Sequence, residues 1–295
     1  MTNDNRPHPV LSRLLAPATR YRPQTLSRVV TGRTVLITGA SFGIGRALAL
    51  RLGKAGANVI LAARSLDELN LLAAEISAQR GCASAFSLDL KSSQSIDAFV
   101  QALKNNDVTI DIVIHNAGKS IARSIAHSLD RAHDFHRTMA VNYLGPVQLQ
   151  LALLPGMLER GCGHIISVST LAVKLPPAPR WAAYTASKGA FDIWMQSAGA
   201  ELRHRGIRLT SVYLGLVHTR MSAPTPSYSK MPGQTADEAA SSICRALVKR
   251  NNAIAPWWLW PLRLMSPWLE TPARWIQSRR QFQDRAIKTK AERAE

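Results

Sequence analysis

Tyr184 and Lys188, four positions apart, offer the clearest chemistry in this sequence. They stand in the run Y-T-A-S-K, inside an apolar-periodic stretch that predicts a helix over residues 182–205, so both side chains share one helix face. An ammonium group beside a phenol favours the phenolate, and Lys188 is therefore expected to lower the pKa of Tyr184 toward working pH. A tyrosine in that state can pass a proton to or from an alcohol oxygen. Taken alone, the spacing also fits an ordinary exposed helix face.

A glycine-rich turn near the start of the chain predicts a pyrophosphate site. The run T-G-A-S-F-G-I-G, residues 38–45, follows a short apolar strand and precedes an apolar-periodic helix over residues 44–55. This arrangement places bare backbone N–H groups and the positive end of a helix dipole at one point. Gly39, Gly43 and Gly45 would serve the tight turn, the close approach of phosphate and the packing of helix on strand. A glycine turn without a ligand is the alternative.

The end of the second predicted strand, residues 58–63, bears on which dinucleotide would bind. Sites that select NAD place an acidic residue about twenty positions after the glycine turn, on the ribose 2′-hydroxyl. This sequence has Arg64 and Ser65 there and no acid. A guanidinium group suits a 2′-phosphate, so NADP(H) is preferred over NAD(H). The alternative is a solvated surface arginine.

Apolar strand-like runs alternate with periodic helices through the middle of the chain. Strands are expected at residues 35–37, 58–63, 83–88, 111–115, 164–169 and 207–213. Repeated strand–helix units with short connections require a mostly parallel sheet covered on both faces. We therefore predict an α/β fold with one doubly wound, Rossmann-type domain over residues 32–256. A basic N-terminal extension (residues 1–31) and a Trp/Arg-rich tail (residues 257–295) flank it.

Charge and cysteine usage narrow the partners and the compartment. Residues 1–34 contain six Arg and one Asp, and residues 245–295 contain eleven Lys or Arg and four acidic residues. Such a balance suits an anionic membrane surface, an acidic substrate or solvated tails, and the charges form no nucleic-acid motif. The three cysteines are far apart and lack metal-type spacing, and no apolar run is long enough for a secretory signal or a membrane span. We expect a cytoplasmic protein without a metal, peripheral to the cytoplasmic face of a membrane if its tail binds lipid.

Four motifs occur in the order and spacing of one known family. They are T-G-A-S-F-G-I-G at residues 38–45, Asn116-Ala117-Gly118, Asn142, and Tyr184 with Lys188. Together they resemble the short-chain dehydrogenases/reductases over about residues 32–256. The resemblance implies a homodimer or homotetramer.

The resemblance also implies a role for each matching residue. Tyr184 would be the general acid/base, Lys188 would hold the nicotinamide ribose, and Asn142 would stabilise a helix irregularity and a water of the proton relay. The residues implied to contact the cofactor run from the glycine turn along the carboxyl ends of the later strands: Gly39, Ser41, Phe42, Gly43, Ile44, Gly45, Arg64, Ser65, Asp89, Leu90, Asn116, Ala117, Gly118, Tyr184, Lys188, Val217 and Thr219. A carbonyl carbon would accept the hydride while the tyrosine protonates its oxygen.

Three positions depart from the family pattern. His115 stands where the family often has an asparagine, and Leu214 replaces a proline, which is expected to loosen that turn. The serine that orients substrate usually lies thirteen residues before the tyrosine, which here is Leu171. Alignment gives the catalytic slot to Thr170, and Ser169 is the other available hydroxyl. We prefer Ser169, because a β-branched threonine is stiffer at χ1.

Residues 219–240, after the sixth strand, predict the nature of the substrate. The segment presents Met, Pro and Tyr rather than a cluster of charges, which suits an apolar substrate beneath a lid. It resembles the reductase domains of bacterial long-chain acyl-CoA and fatty-aldehyde reductases.

The C-terminal tail concentrates aromatic and basic residues. Five of the seven tryptophans lie within nineteen residues, mixed with arginines and prolines: Trp257, Trp258, Trp260, Trp268 and Trp275. Tryptophan beside arginine is typical of a segment lying in a membrane interface. Packing on the protein's own core and a dimer contact are the alternatives.

Two classes of function follow. The first is an NADP(H)-dependent oxidoreductase acting on a lipophilic carbonyl or alcohol, such as a long-chain acyl group, an aldehyde, a ketone or a sterol-like compound. The second is a membrane-associated NADP(H)-binding scaffold or sensor with little or no turnover. Tyr184, Lys188 and Asn142 favour the enzyme, and the displaced serine keeps the scaffold open.

Overall fold

The computed structural model describes residues 9–176 and 178–262 and follows the predicted alternation of elements. The strands are β1 (Thr34–Thr38), β2 (Asn58–Ala63), β3 (Cys82–Ser87), β4 (Ile112–His115), β5 (Gly163–Thr170), β6 (Ile207–Leu214), β7 (Val217–His218), β8 (Gln234–Thr235) and β9 (Ala253–Ile254). The helices are α1 (Pro9–Leu15), α2 (Pro23–Val30), α3 (Gly43–Lys54), α4 (Leu66–Ala78), α5 (Ser93–Asn105), α6 (Ala132–Met139), α7 (Gly145–Arg160), α8 (Ala182–Leu202) and α9 (Ala236–Lys249). All six predicted strands are present, with ends shifted by at most one residue.

Seven strands form one parallel sheet in the order β3-β2-β1-β4-β5-β6-β9. The chain reverses its direction of travel across the sheet at β1, which lies between β2 and β4. Ile37 is level with Leu61 on one side and with Ile114 on the other, so the carboxyl ends of these three strands meet at one edge. Ligands of doubly wound sheets bind outside that edge, at the reversal. The predicted fold class is confirmed.

Helices cover both faces of the sheet because its central strands are apolar on both sides. Along β1, Val35 and Ile37 pack with α2, α3, α4 and α9, whereas Leu36 packs with α5, α7 and α8 on the opposite face. All three side chains are fully buried. Among the described residues, no helix is both long and apolar enough to span a bilayer.

The core reaches beyond residues 32–256 at both ends of the described chain. On α2, Leu26 and Val30 are buried against the same cluster as β1. Beyond β9, Leu259 is buried with Leu171 and Tyr213. Part of each predicted extension therefore belongs to the packed domain. The expectations for residues 1–8 and 263–295 lie outside the described residues.

The lid predicted over residues 219–240 ends earlier in the structure, because α9 begins at Ala236. The segment between β6 and α9 contains the parallel pair β7–β8 and a 3₁₀ turn at Pro226–Lys230. Helix α9 then begins at Ala236, with a capping box in which Thr235 and Glu238 bond each other's backbone N–H groups. Ala239 and Ala240 are fully buried. Residues 236–240, assigned to the lid from the sequence, are instead the start of a core helix.

Candidate active site

A cleft of about 850 Å³ opens beyond the carboxyl ends of the central strands. Its walls contain the predicted cofactor-contacting residues apart from Gly45, and the predicted catalytic residues apart from Asn142. Both exceptions are buried, and a Cβ on Gly45 would lie 2.7 Å from Nδ2 of Asn116, which does line the cleft. The fold therefore brings the sequence motifs together around one space.

The glycine turn forms a tight backbone cradle at one end of the cleft. Gly39 has a φ of +66°, and a Cβ at this position would lie 2.8 Å from the Cα of Ala117. A Cβ on Gly45 would lie 2.2 Å from the carbonyl oxygen of Gly39. Helix α3 starts at Gly43 without a side chain capping its N-terminus. Its first N–H groups thus remain available to an anion, and the cradle fits a pyrophosphate.

Hydrogen bonds between the end of β1 and the residues that follow β4 hold the shape of this turn. The hydroxyl of Thr38 accepts the backbone N–H groups of Asn116 and Ala117, each at 3.1 Å. The Asn116 side chain donates to the carbonyl oxygens of Thr38 and Gly39, each at 3.0 Å. Asn116 was predicted to line the cofactor site, and the structure shows that it also fixes the turn beneath that site.

Tyr184 lies in the first turn of α8, facing the cleft. Burial raises its pKa to about 12, and the neighbouring Tyr228 adds to the rise, whereas a hydrogen bond with the Thr170 side chain opposes it. The expectation that Lys188 would lower this pKa toward working pH is not met, because desolvation dominates and Lys188 does not contribute to the shift. The phenol is therefore protonated at neutral pH and placed to donate.

Lys188 lies one helical turn further along α8 and is almost completely buried. Its Nζ donates to the carbonyl oxygen of Val168 at 3.0 Å. A Cβ on Gly118 would lie 3.5 Å from the same Nζ, so the amine faces the backbone of the loop after β4. Burial lowers the pKa of Lys188 to about 8. A negative charge forming nearby would favour the ammonium and raise this pKa.

Ser169 and Thr170, at the end of β5, face different neighbours because successive side chains of a strand point to opposite sides. The Thr170 side chain opposes the rise in the Tyr184 pKa, so it lies close to the phenol, and its hydroxyl accepts the N–H of Ala172 at 3.3 Å. Ser169 also lines the cleft, but its buried hydroxyl has no hydrogen-bond partner among the described residues. The geometry favours Thr170 as the hydroxyl beside the acid, against the preference for Ser169 drawn from χ1 stiffness.

The helix irregularity expected at Asn142 is a π-helical turn, Ala140–Leu144, between α6 and α7. The Asn142 amide donates to the carbonyl of Lys119 at 2.8 Å and to the hydroxyl of Ser187 at 2.9 Å. Its Oδ1 accepts the N–H of Lys119 at 2.8 Å. Asn142 therefore ties the loop after β4 to α8, directly behind the cleft wall. Single π turns of this kind occur frequently at functional sites.

Exposed polar groups line the cleft beyond β2 and β3. Arg64 and Ser65 follow β2, and Ser65 begins α4 without using its hydroxyl to cap that helix. Asp89 follows β3 and accepts the N–H of Lys91 at 3.0 Å, and Leu90 beside it is buried. These residues offer a cation, a hydroxyl and an apolar contact at the end of the cleft nearest the glycine turn.

Arg220 adds a cation at the glycine turn that the sequence analysis did not identify. Its guanidinium group lies 3.9 Å from the centre of the Phe42 ring, and both residues line the cleft. Val217 and Thr219 lie on the same segment, and the methyl group of Thr219 would be 3.2 Å from a Cβ on Gly43. The lid therefore begins directly over the phosphate cradle.

The end of the cleft beyond Tyr184 is apolar. Its lining side chains come from the loop after β5, the lid and the end of the described chain: Leu171, Leu175, Pro176, Trp181, Leu216, Met221, Tyr228, Met231, Pro232 and Trp258. Trp181 stacks on Tyr228 of the lid, with ring centres 5.7 Å apart and planes 5° apart. The same indole contacts Tyr184 edge-on, at 5.9 Å. The lid is thus joined to the start of α8 through Trp181, which carried no sequence signal.

A buried ion pair supports the loop that follows Thr170. Lys174 Nζ lies 2.6 Å from a carboxylate oxygen of Asp192 on α8. That carboxylate also accepts the Tyr213 hydroxyl at 2.6 Å and the Gln196 amide at 2.8 Å. This network has no signal in the sequence because its members come from three separate segments and form no local pattern.

Comparisons with known proteins agree with the geometry. A family model described as short chain dehydrogenase matches residues 33–229. A fatty acyl-CoA reductase of Acinetobacter baylyi is 45% identical over 226 residues, which cover 77% of this chain and 76% of that protein. A fatty acyl-CoA reductase of Mycobacterium tuberculosis is 41% identical over 235 residues, covering 80% of each. The crystal structure of a metagenomic short-chain oxidoreductase in complex with NADP has a TM-score of 0.65 at 31% identity, covering 76% of this chain and 93% of that one.

Proposed function

Because the chain belongs to the short-chain dehydrogenases/reductases, we propose that it is an NADP(H)-dependent oxidoreductase acting on a lipophilic carbonyl compound or the corresponding alcohol. The observation that carries the proposal is the approach of Thr170 to a partly buried, protonated Tyr184, at the junction of a phosphate cradle and an apolar cleft. A scaffold that only bound the dinucleotide would need the cradle but not this acid.

The chain's own residues supply proton transfer and orientation. Thr170 would donate a hydrogen bond to the carbonyl oxygen and polarise it. Tyr184 would give that oxygen its proton, since a phenol whose pKa is raised stays protonated at neutral pH and can act as the acid. Lys188 would become fully charged as the phenolate forms and would stabilise it. NADP(H), when bound, supplies or accepts the hydride.

The cofactor preference rests on the residues after β2. Arg64 and Ser65 line the cleft, and residues 61–65 contain no acid in the place of the one that holds a ribose 2′-hydroxyl in sites selecting NAD. A guanidinium group matches phosphate by geometry and by charge. The relative of known structure that was crystallised with NADP supports the same preference.

A lipophilic substrate is supported by the apolar end of the cleft and by the two relatives named fatty acyl-CoA reductases. Trp181 and Tyr228 close that end beside the acid, so an acyl chain would bury its methylene groups there while its carbonyl meets Thr170. Exclusion of water by the same aromatic pair would protect the proton transfer.

NADPH absorbance followed with long-chain acyl-CoA thioesters, aldehydes and ketones tests the proposal. Tyr184→Phe should lose at least about a hundredfold in kcat, because general acid catalysis typically contributes that much. Tyr21→Phe is the matched control, since this phenol bonds Arg51 and does not line the cleft. Unchanged turnover in Tyr184→Phe would exclude the mechanism. Tight NADPH binding without turnover of any compound would favour the scaffold instead.

A further inference from the structure

Three large apolar side chains both line the cleft and face solvent. Leu15 of α1 is 37% exposed, and Met221 and Met231 of the lid are 48% and 45% exposed. They come from the two ends of the lid and from the N-terminal helix, so they surround the mouth of the cleft rather than its floor. We refer to Leu15, Met221 and Met231 as the apolar rim. Exposed apolar side chains gathered at the lining of one cleft indicate an interaction surface.

Helix α1 extends this rim because it is anchored to the lid. Ser12 is buried, and its hydroxyl accepts the N–H of Gly233, two residues after Met231, at 3.0 Å. This bond directs Val10, Leu11 and Leu14 outward, where they are 77%, 43% and 54% exposed. A seven-residue helix gains nothing from three exposed aliphatic side chains in water. It gains free energy if an apolar phase covers them.

The segment after β9 brings tryptophans to the same cleft. Trp258 lines the cleft and Leu259 is buried, and this fixes the segment against the domain. The flanking Trp257 and Trp260 are 68% and 55% exposed. The chain continues after Leu262 for residues 263–295, which contain eight Lys or Arg, four acidic residues and two further tryptophans. Basic and aromatic sequence therefore follows a segment that lines the same cleft as the apolar rim.

We propose that the apolar rim and helix α1 dock onto an anionic bilayer surface, so that the mouth of the cleft opens directly into lipid. The surface combines aliphatic side chains at the mouth, tryptophans beside it and an excess of positive charge in the adjoining sequence, which is the combination that binds anionic interfaces. A second copy of the chain seated on the rim would close the entrance, whereas a bilayer would both cover the rim and supply substrate. The inference rests on the proposed function only for the lipophilic nature of that substrate.

Co-sedimentation of the full chain with vesicles tests the docking surface, without substrate or cofactor. Phosphatidylcholine vesicles with phosphatidylglycerol should retain the wild type better than phosphatidylcholine alone, and high salt should weaken the retention. The double variant Leu14→Glu with Met231→Glu should lower the partition coefficient about tenfold or more. Two apolar side chains that lipid would cover are then replaced by charges that anionic lipid repels. Leu71→Glu is the matched control, since Leu71 is 70% exposed on α4 and does not line the cleft. It should sediment like the wild type.

Thermal melting confirms that each variant is folded, and light scattering reports its oligomeric state. Wild-type protein that stays in the supernatant with both vesicle types would overturn the proposal, as would a double variant that sediments like the wild type. A double variant that becomes a smaller oligomer, with no vesicle binding by the wild type, would assign the rim to a second copy of the chain. Turnover of soluble substrates without vesicles tests the proposed function separately, so the two failures are distinguishable.

Discussion

The Thr170 side chain comes close enough to the phenol of Tyr184 to oppose the rise in its pKa, which brings the last residue of β5 to the first turn of α8. The Thr170 hydroxyl accepts the N–H of Ala172, which holds the side chain in place at the wall of the cleft. Two groups on different elements are thereby held at one point, where a single carbonyl oxygen could meet both. Such preorganisation is the main way in which an enzyme stabilises charge that develops in the transition state.

Thr170→Val, which keeps the shape and removes the hydroxyl, should lower kcat about a hundredfold, the loss typical of removing one donor to a developing oxyanion. Ser169→Ala should cost much less activity and leave the melting temperature unchanged or higher, because the hydroxyl it removes is buried without a partner among the described residues. Steady-state kinetics on both variants decides between the two hydroxyls. A larger loss in Ser169→Ala would restore Ser169 as the group that orients substrate.

Arg64→Ala should change which dinucleotide is preferred. A charge-assisted hydrogen bond contributes about 1.5–3 kcal/mol, so the ratio of kcat/KM with NADPH to that with NADH should fall roughly ten- to hundredfold. Arg28→Ala, an exposed arginine on α2 outside the cleft, should keep the wild-type ratio. An equal loss of kcat/KM with both dinucleotides would place Arg64 on a part that the two share, and unchanged kcat/KM with both would leave it a solvated surface residue.

His115 should make the fold sensitive to acid. It is buried, with Nε2 3.1 Å from the Gln150 side-chain oxygen, and burial lowers its pKa to about 4. The unfolded chain, with a histidine pKa of about 6.5, binds more protons than the folded chain between these two values, so stability falls as the pH drops through that window. Between pH 7 and pH 5 this group alone should cost about 2 kcal/mol of the free energy of unfolding.

Urea unfolding at both pH values checks the contribution of His115. His115→Asn removes the titrating ring, and its loss of stability between pH 7 and pH 5 should be smaller than that of the wild type by about 2 kcal/mol. His136→Asn, at an exposed position on α6, should keep the wild-type difference. If His115→Asn keeps it too, the ring is not the source of the acid sensitivity. His164, whose pKa burial lowers to about 3, contributes in the same direction in all three proteins.

The backbone framework was predictable because strand and helix periods are local properties of the sequence. The ends of every strand from β1 to β6 were predicted to within one residue. The spacing of Gly39 and Gly45 likewise predicted the tight turn that the structure shows. The start of α9 was missed even though its signal was present. Thr235 and Glu238 have the spacing of a capping box and precede an apolar-periodic run, so residues 236–240 could have been read as a helix.

The chemistry of the site was less predictable because it depends on burial and on strand parity. The charge of Lys188 was visible in the sequence, whereas the desolvation that raises the Tyr184 pKa was not. Likewise, χ1 stiffness says nothing about which of two adjacent strand residues faces the phenol. Because successive side chains alternate between the two sides of a strand, Thr170 rather than Ser169 lies near the Tyr184 phenol. The rim residue Leu15 is more than two hundred positions away from Met231, and only folding brings them to one mouth.

The ion pair between Lys174 and Asp192 should anchor the loop after Thr170. Both side chains are nearly buried, at 11% and 4% exposure, and removing one partner of such a pair leaves an uncompensated charge in the interior. Lys174→Met should therefore lower the free energy of unfolding by about 3 kcal/mol in urea titrations. It should also raise KM for the lipophilic substrate, because Lys174 ends the 3₁₀ turn Leu171–Val173 that lines the cleft.

A double variant separates the uncompensated charge from the lost packing. In Lys174→Met with Asp192→Asn, the amide oxygen can still accept from Gln196 and the amide nitrogen can donate to the Tyr213 hydroxyl, in place of the two carboxylate oxygens that these groups bond at 2.8 and 2.6 Å. No charge then remains buried, so the double variant should be more stable than Lys174→Met alone. Additive losses would contradict this, since they would mean that the two side chains stabilise the loop independently.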